Sequence, residues 1–164
     1  MKRSLIILAV LLIAAINLAF AAGEPAVQET VCSFADGKGM RVQYTPLEFK
    51  LRNGEPWTPG DKPLTLFTDT PITLGNTPLP AGAYGLYLVP EKQTWTLVVN
   101  KTAKPGQQAD KSQDIVRAPM QSGDLGHNIG TPQVTLVHPA QTQCSLQVYA
   151  GSTLAWADFK EQGQ

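Results

Sequence analysis

The 164-residue sequence lacks most of the short patterns that mark a reaction. It contains no Cys-x-x-Cys, no His-x-His, no His-Glu-x-x-His and no Gly-x-Ser-x-Gly, which removes the usual zinc, redox and nucleophile-elbow signatures. Lys and Arg are nowhere clustered, so the electrostatic term that drives nucleic-acid binding is missing. Helical periodicity, internal repeats and low-complexity tracts are absent as well. The 14 Gly and 13 Pro all follow residue 21. So many turn formers in the remaining 143 residues argue against long helices, a helical bundle or a multi-span membrane protein. A chain of that length supports one core and one domain.

One long apolar run exists, at the start. Lys2 and Arg3 precede an apolar stretch from Leu5 to Ala22 broken only by Asn17. Ala19-Phe20-Ala21 places small residues where a signal peptidase needs them, so cleavage is expected after Ala21. The other reading is an uncleaved anchor, since eighteen apolar-rich residues almost span a bilayer. The short basic start and the Ala-Phe-Ala site favour cleavage. No Cys directly follows the run, which argues against a lipid anchor. The sequence therefore divides into a signal peptide (1–21), a short polar lead (22–30) and a single domain (31–160), exported to the periplasm or secreted, with no stable membrane insertion after cleavage. The whole chain has 13 basic and 13 acidic residues; losing Lys2 and Arg3 leaves 11 against 13, a net charge near −2.

Two cysteines in an exported chain point to a disulfide. Cys32 shares the apolar face of its stretch with Phe34, and Cys144 shares one with Leu146 and Val148, so both sulfurs are expected in the core. Two separate buried thiols are the alternative.

Beyond the lead, apolar residues alternate with polar ones between turn signals. Val31–Ala35 and Gly39–Thr45 flank Asp36-Gly37-Lys38. Pro63–Asp69 is followed by two short arms around Gly75-Asn76. Ala83–Val89 aligns Tyr84, Leu86 and Leu88; Thr94–Asn100 aligns Trp95, Leu97 and Val99. Asp114–Met120 reads as a short edge strand, with Pro119 keeping it off the sheet centre. Gln133–His138, Gln143–Ala150 and Thr153–Lys160 follow, the last two joined by Gly151-Ser152. About nine or ten short strands with turns every 8–12 residues predict an all-β, antiparallel β-sandwich, Ig-like or jelly-roll-like. Alternation places Trp95 and Trp156 in the core, and puts Tyr87 on the face opposite Tyr84, open to solvent.

The block Leu79-Pro80-Ala81-Gly82-Ala83-Tyr84-Gly85-Leu86-Tyr87-Leu88-Val89-Pro90 precedes Trp95-Thr96-Leu97-Val98-Val99-Asn100-Lys101. With Asp114-Ile115-Val116-Arg117-Ala118-Pro119-Met120 downstream and Trp57 with Gly60 upstream, it resembles a bacterial exported family, the domain-of-unknown-function family numbered 2911. The resemblance spans about Val31 to Phe159. It implies a β-sandwich and a periplasmic or secreted bacterial protein, and no reaction. Two departures stand out. Tyr44-Thr45-Pro46 lacks the arginine of the family's Tyr-Ser-Arg-Pro segment, and Trp57-Thr58-Pro59-Gly60-Asp61-Lys62 replaces its Trp-Arg-x-Gly-Ala-Asn. An anion site built from those arginines would be missing or rebuilt here.

Few residues compete for a functional role. His127 and His138 read as surface or strand-end histidines, and no metal or cofactor site is expected. Ser122, Ser145 and Ser152 lie in turns or on solvent faces, and the 13 acids form no specific catalytic pair. The resemblance draws attention to Asp114 and Arg117. On a regular strand a spacing of three puts them on opposite faces, whereas in a turn they pair. They read as a structural ion pair, or as an arginine offered to an anionic ligand. Trp57, beside Asp61 and Lys62, either folds back to plug one end of the sandwich or stands out to stack on a sugar or a partner. Binding residues are therefore sought at Trp57, Lys62, Asp114 and Arg117, in or near the loops Pro46–Lys62 and Thr102–Lys111. The expectation is a non-enzymatic binder of an envelope component, a carbohydrate or a protein. A hydrolase using scattered acids or His127, and a purely structural envelope protein, are the alternatives.

Overall fold

Nine antiparallel strands build the computed structural model, which describes residues 26–46, 51–59, 63–92, 94–102 and 110–163. They are β1 (Gln28–Ser33), β2 (Gly39–Tyr44), β3 (Leu64–Thr68), β4 (Ile72–Leu74), β5 (Thr77–Leu79), β6 (Gly82–Pro90), β7 (Trp95–Asn100), β8 (Asp114–Ala140) and β9 (Gln143–Glu161). Neighbours run in the order β1-β2-β3-β6-β7-β8-β9-β4-β5. The predicted signal peptide, and Lys62 with it, lie outside the described residues. Among the described residues no helix is long and apolar enough to cross a membrane.

Strand β8 divides the ribbon into two layers. Asp114–Met120 pairs with β7, and from Gln121 onward the partner is β9. The first stretch is an edge, as expected from Pro119, but the strand does not stop there; it crosses into the second sheet. In the first sheet, Val42 lies beside Leu66 and Leu66 beside Tyr84; Leu88 lies beside Leu97 and Leu97 beside Ala118. These inward rows meet Ile72, Leu79, Val134, Leu136, Leu146, Val148 and Phe159 from the second sheet in one apolar core. At the far side the layers are stitched together. Cys32 on β1 is bonded to Cys144 on β9, and the Leu136 N–H donates to Thr30 Oγ1 at 2.8 Å. Such disulfides form and persist in oxidising compartments outside the cytoplasm.

Glycine sets the turns where the chain needs positive φ. Gly37 has φ +85° and Gly75 has φ +60°, in the loops joining β1 to β2 and β4 to β5. Gly151, at φ +61°, does more. Nineteen extended residues would span about 60 Å, yet the Glu161 N–H donates to Thr142 O at 2.8 Å. Strand β9 therefore doubles back at Gly151-Ser152. Inward positions accordingly switch from even (Cys144, Leu146, Val148, Ala150) to odd (Ala155, Ala157, Phe159).

That switch corrects one expectation. Trp156 lies on the outward side, half-buried and opposite Gln121, while the small Ala155 and Ala157 point into the core. Every residue from Leu154 to Ala157 is apolar, so alternation there was ambiguous, and the pairing of Phe159 with Leu74 decides it. β1 also begins earlier than expected, because Gln28 and Glu29 already pair with Tyr44 and Gln43.

Candidate functional site

Asp114 and Arg117 sit on the same face although they are three residues apart in one strand. Val99 lies opposite Val116 while Asn100 lies opposite Asp114, which leaves Ile115 as one extra residue, a β-bulge. The bulge restores parity and turns both charged side chains outward from the first sheet. Arg117 Nη1 donates to Asp114 Oδ2 at 3.2 Å and to Tyr87 Oη at 3.3 Å. The Tyr87 hydroxyl donates to Asp114 Oδ2 at 2.6 Å, and Asn100 Nδ2 donates to Asp114 Oδ1 at 2.9 Å and to Asp110 O at 2.7 Å. The Thr102 N–H closes on Asn100 Oδ1 at 2.8 Å. Four side chains from β6, β7 and β8 thus form one network.

Tyr87 was expected to be exposed and is instead 1% exposed. It does face away from Tyr84, but the outward face carries its own small apolar cluster of Tyr87, Val89 and Val98. Burial, reinforced by the hydrogen bond to Asp114, pushes the Tyr87 phenol from its ordinary 10.0 up to about 12. It therefore stays a proton donor to the carboxylate at neutral pH. The network is polar but anchored in a dry surround, where a satisfied hydrogen bond is strong and an unsatisfied one costly.

Trp57 takes the plug role. Its side chain is 6% exposed and meets Trp95 edge-on, with ring centroids 6.0 Å apart at 74°. The backbone explains why. β3 stops at Leu64, opposite Leu86, so the edge of β6 beyond it needs another partner. The Trp57 N–H donates to Leu88 O at 2.6 Å, the Leu88 N–H donates to Trp57 O at 2.9 Å, and Gly54 N–H reaches Pro90 O at 2.7 Å. A tryptophan held this way offers no surface for stacking. The loop that carries it helps to shape a cleft instead.

That cleft, about 500 Å³, opens at the end of the sandwich where the Pro90-Glu91-Lys92 turn, β8 just past Met120 and the Gly151-Ser152 turn converge. Asn53, Ser122, Asp124, Ser152 and Thr153 line it together with Glu91, Lys92 and the buried Trp95. None of these was singled out as a site by the sequence except Ser122 and Ser152, which were set aside. The available signal was the density of turns at this end, but only the register brings the turns together. A second cavity, about 350 Å³, lies between Tyr44, Gln28, Gln133 and Tyr149.

Ser145 is buried on β9 opposite Val137, contrary to its expected solvent position. His127 and His138 are exposed, with His127 Nδ1 3.0 Å from Leu125 O. Among the described residues no group of three or more His, Cys, Asp or Glu side chains is placed to hold a metal ion.

Fold and site together define an all-β sandwich domain with disulfide-joined sheets, a polar end cleft and a buttressed arginine on one outer face. The model of the family described as protein of unknown function (DUF2911) matches residues 41–160, and the chain belongs to that family. No curated protein and no solved structure matches it.

Proposed function

We propose that this domain is exported to the periplasm or beyond and acts there as a non-enzymatic binding module, seating a hydroxyl-rich ligand of the carbohydrate class in the end cleft. The cleft itself carries this reading. Its volume falls in the range of small-ligand sites, about 300–1,000 Å³. Its wall offers neutral donors and acceptors (Asn53, Ser122, Ser152, Thr153) beside the charged Glu91, Lys92 and Asp124, a combination suited to sugar hydroxyls. Rigid strands holding a cluster of turns are a common platform for recognition.

The test is a titration of the exported chain with neutral oligosaccharides, followed by tryptophan fluorescence and thermal shift. A saturable response is expected, and Ser122→Trp, which fills the cleft from an exposed position, should abolish it without lowering Tm. Silence across the panel, or binding untouched by Ser122→Trp, would refute the reading. Glu91 and Asp124 share the same cleft, which favours a hydrolase as the second reading. Release of reducing ends that disappears in Glu91→Gln or Asp124→Asn would establish hydrolysis instead.

A further inference from the structure

We infer that Arg117 is an oxyanion-binding residue, held on the outer face of the first sheet to receive a carboxylate or phosphate group of a ligand. The end cleft does not include it, so this site is separate from the one proposed above.

Geometry carries the inference. Among the described residues Arg117 bonds through Nη1 alone, to Asp114 and Tyr87. Among the described residues no acceptor meets Nε or Nη2, and the side chain is 49% exposed. The anchored nitrogen is one prong of a planar fork, so fixing it leaves the remaining donors in a defined plane facing solvent. Two parallel N–H groups in such a fork match a carboxylate or phosphate edge.

Asp114 does not compete for that edge. Its side chain is 14% exposed, and both oxygens are already engaged, Oδ1 by Asn100 and Oδ2 by Tyr87 and Arg117. Between Tyr87 and Arg117 across the sheet lies Val98, fully buried, so the network rests on an apolar floor. A purely structural pair would not require this arrangement: a buried tyrosine and a buried asparagine both support the carboxylate that steers the guanidinium. Local charge also favours an anion. Lys101 and Lys111 are exposed within three residues of the network, and Asp110 is committed to the Ser112 N–H and hydroxyl. Arg117, Lys101 and Lys111 against Asp110 and Asp114 leave a net charge of +1.

The test uses the exported chain with inorganic phosphate and glutarate as separate probes, read by calorimetry and thermal shift against sodium chloride of equal ionic strength. Saturable binding of at least one probe is expected, and the responding arm identifies phosphate or carboxylate as the group recognised. Arg117→Gln should abolish binding. Arg117→Lys keeps the charge and the ion pair with Asp114 but loses the fork, and should weaken binding at least about tenfold, the worth of one charge-assisted hydrogen bond. Should Arg117→Gln fail to fold, the lysine variant decides alone. No response to either probe overturns the inference, as does binding that survives either substitution, which would mark an adventitious ion elsewhere. The oligosaccharide titration is unaffected by these outcomes, so the two sites fail independently.

Discussion

Reduction of Cys32–Cys144 tests how the two sheets are held together. The bond joins residues 112 apart in sequence, β1 of the first sheet to β9 of the second. Closing a loop of that length removes denatured-state entropy worth about 4–5 kcal/mol at 25 °C. A domain of this size is stable by about 5–15 kcal/mol in total, so the crosslink amounts to about a quarter or more of it. At about 3–4 °C per kcal/mol, Tm should fall by about 12–20 °C. Urea denaturation and calorimetry of oxidised and reduced protein provide the measurement, with Cys32→Ala/Cys144→Ala as a third sample. Both cysteines are buried, so the alanine pair also loses packing, whereas the reduced protein keeps its sulfur atoms. Agreement between the two would assign the loss to the loop. The m-value should rise in both, because an unfolded chain freed of a long loop exposes more surface. A reduced protein within about 1 kcal/mol of the oxidised one would refute the loop argument. The contacts between β1 and β8, such as Thr30 with Leu136, would then suffice to unite the sheets.

Two further perturbations probe the outer face. Gly85→Ala would place a Cβ 2.3 Å from Thr102 O, a backbone atom with little room to retreat. Gly85 has no positive φ, so the cost is steric, about 1–3 kcal/mol by urea denaturation; an unchanged midpoint would refute the close packing of Thr102 over β6. Tyr87 governs alkaline behaviour. Its folded pKa is raised to about 12, so the folded state keeps a proton that the unfolded state releases. The stability it contributes is complete below about pH 10 and is lost as pH climbs toward 12. Tm followed from pH 8 to 12 should show this decline, and Tyr87→Phe should flatten it; identical profiles would remove Tyr87 from the network.

Much of the architecture was legible because it rests on local signals. Asp36-Gly37 and Gly75-Asn76 mark hairpin loops by residue chemistry alone, and the even-numbered apolar positions of β6 and the odd-numbered ones of β7 identify the face turned to the core. The Cys32–Cys144 bond was also within reach, since Cys32 shares a face with Phe34 just past the end of β1, and Cys144 shares one with Leu146 and Val148 on β9. What escaped was set by partners distant in sequence. The burial of Tyr87 depends on a second cluster on the sheet's outer side. For Trp57 the plug was one of the two readings, and what selects it is β3 ending at Leu64 and leaving the edge of β6 to be capped. The end cleft needs turns from β6–β7, β8 and β9 to meet, which no window of sequence contains.

The bulge at Ile115 shows most clearly why a site can be present in a sequence and unreadable there. Side-chain period in a strand is two, so a one-residue shift moves every residue to the other face. Were Ile115 to take a regular paired position opposite Asn100, burying Val116, Ala118 and Met120 would leave Arg117 outward but turn Asp114 inward with them, and the carboxylate would enter the apolar core unpaired. With Ile115 bulged out of the pairing, Asp114 instead meets Asn100 and Tyr87 on the outer face, while the rows Val99–Val116 and Leu97–Ala118 keep their core register. β8 then continues past Met120 with the same register to present Ser122 and Asp124 at the end cleft. Whether Ile115 stays out of the pairing therefore determines whether Arg117 has its support, and the same strand fixes one wall of the cleft. Deleting Ile115 would set Asp114 directly before Val116, in regular pairing with Asn100 and Val99, so the network and the core row should both survive the loss of the bulge.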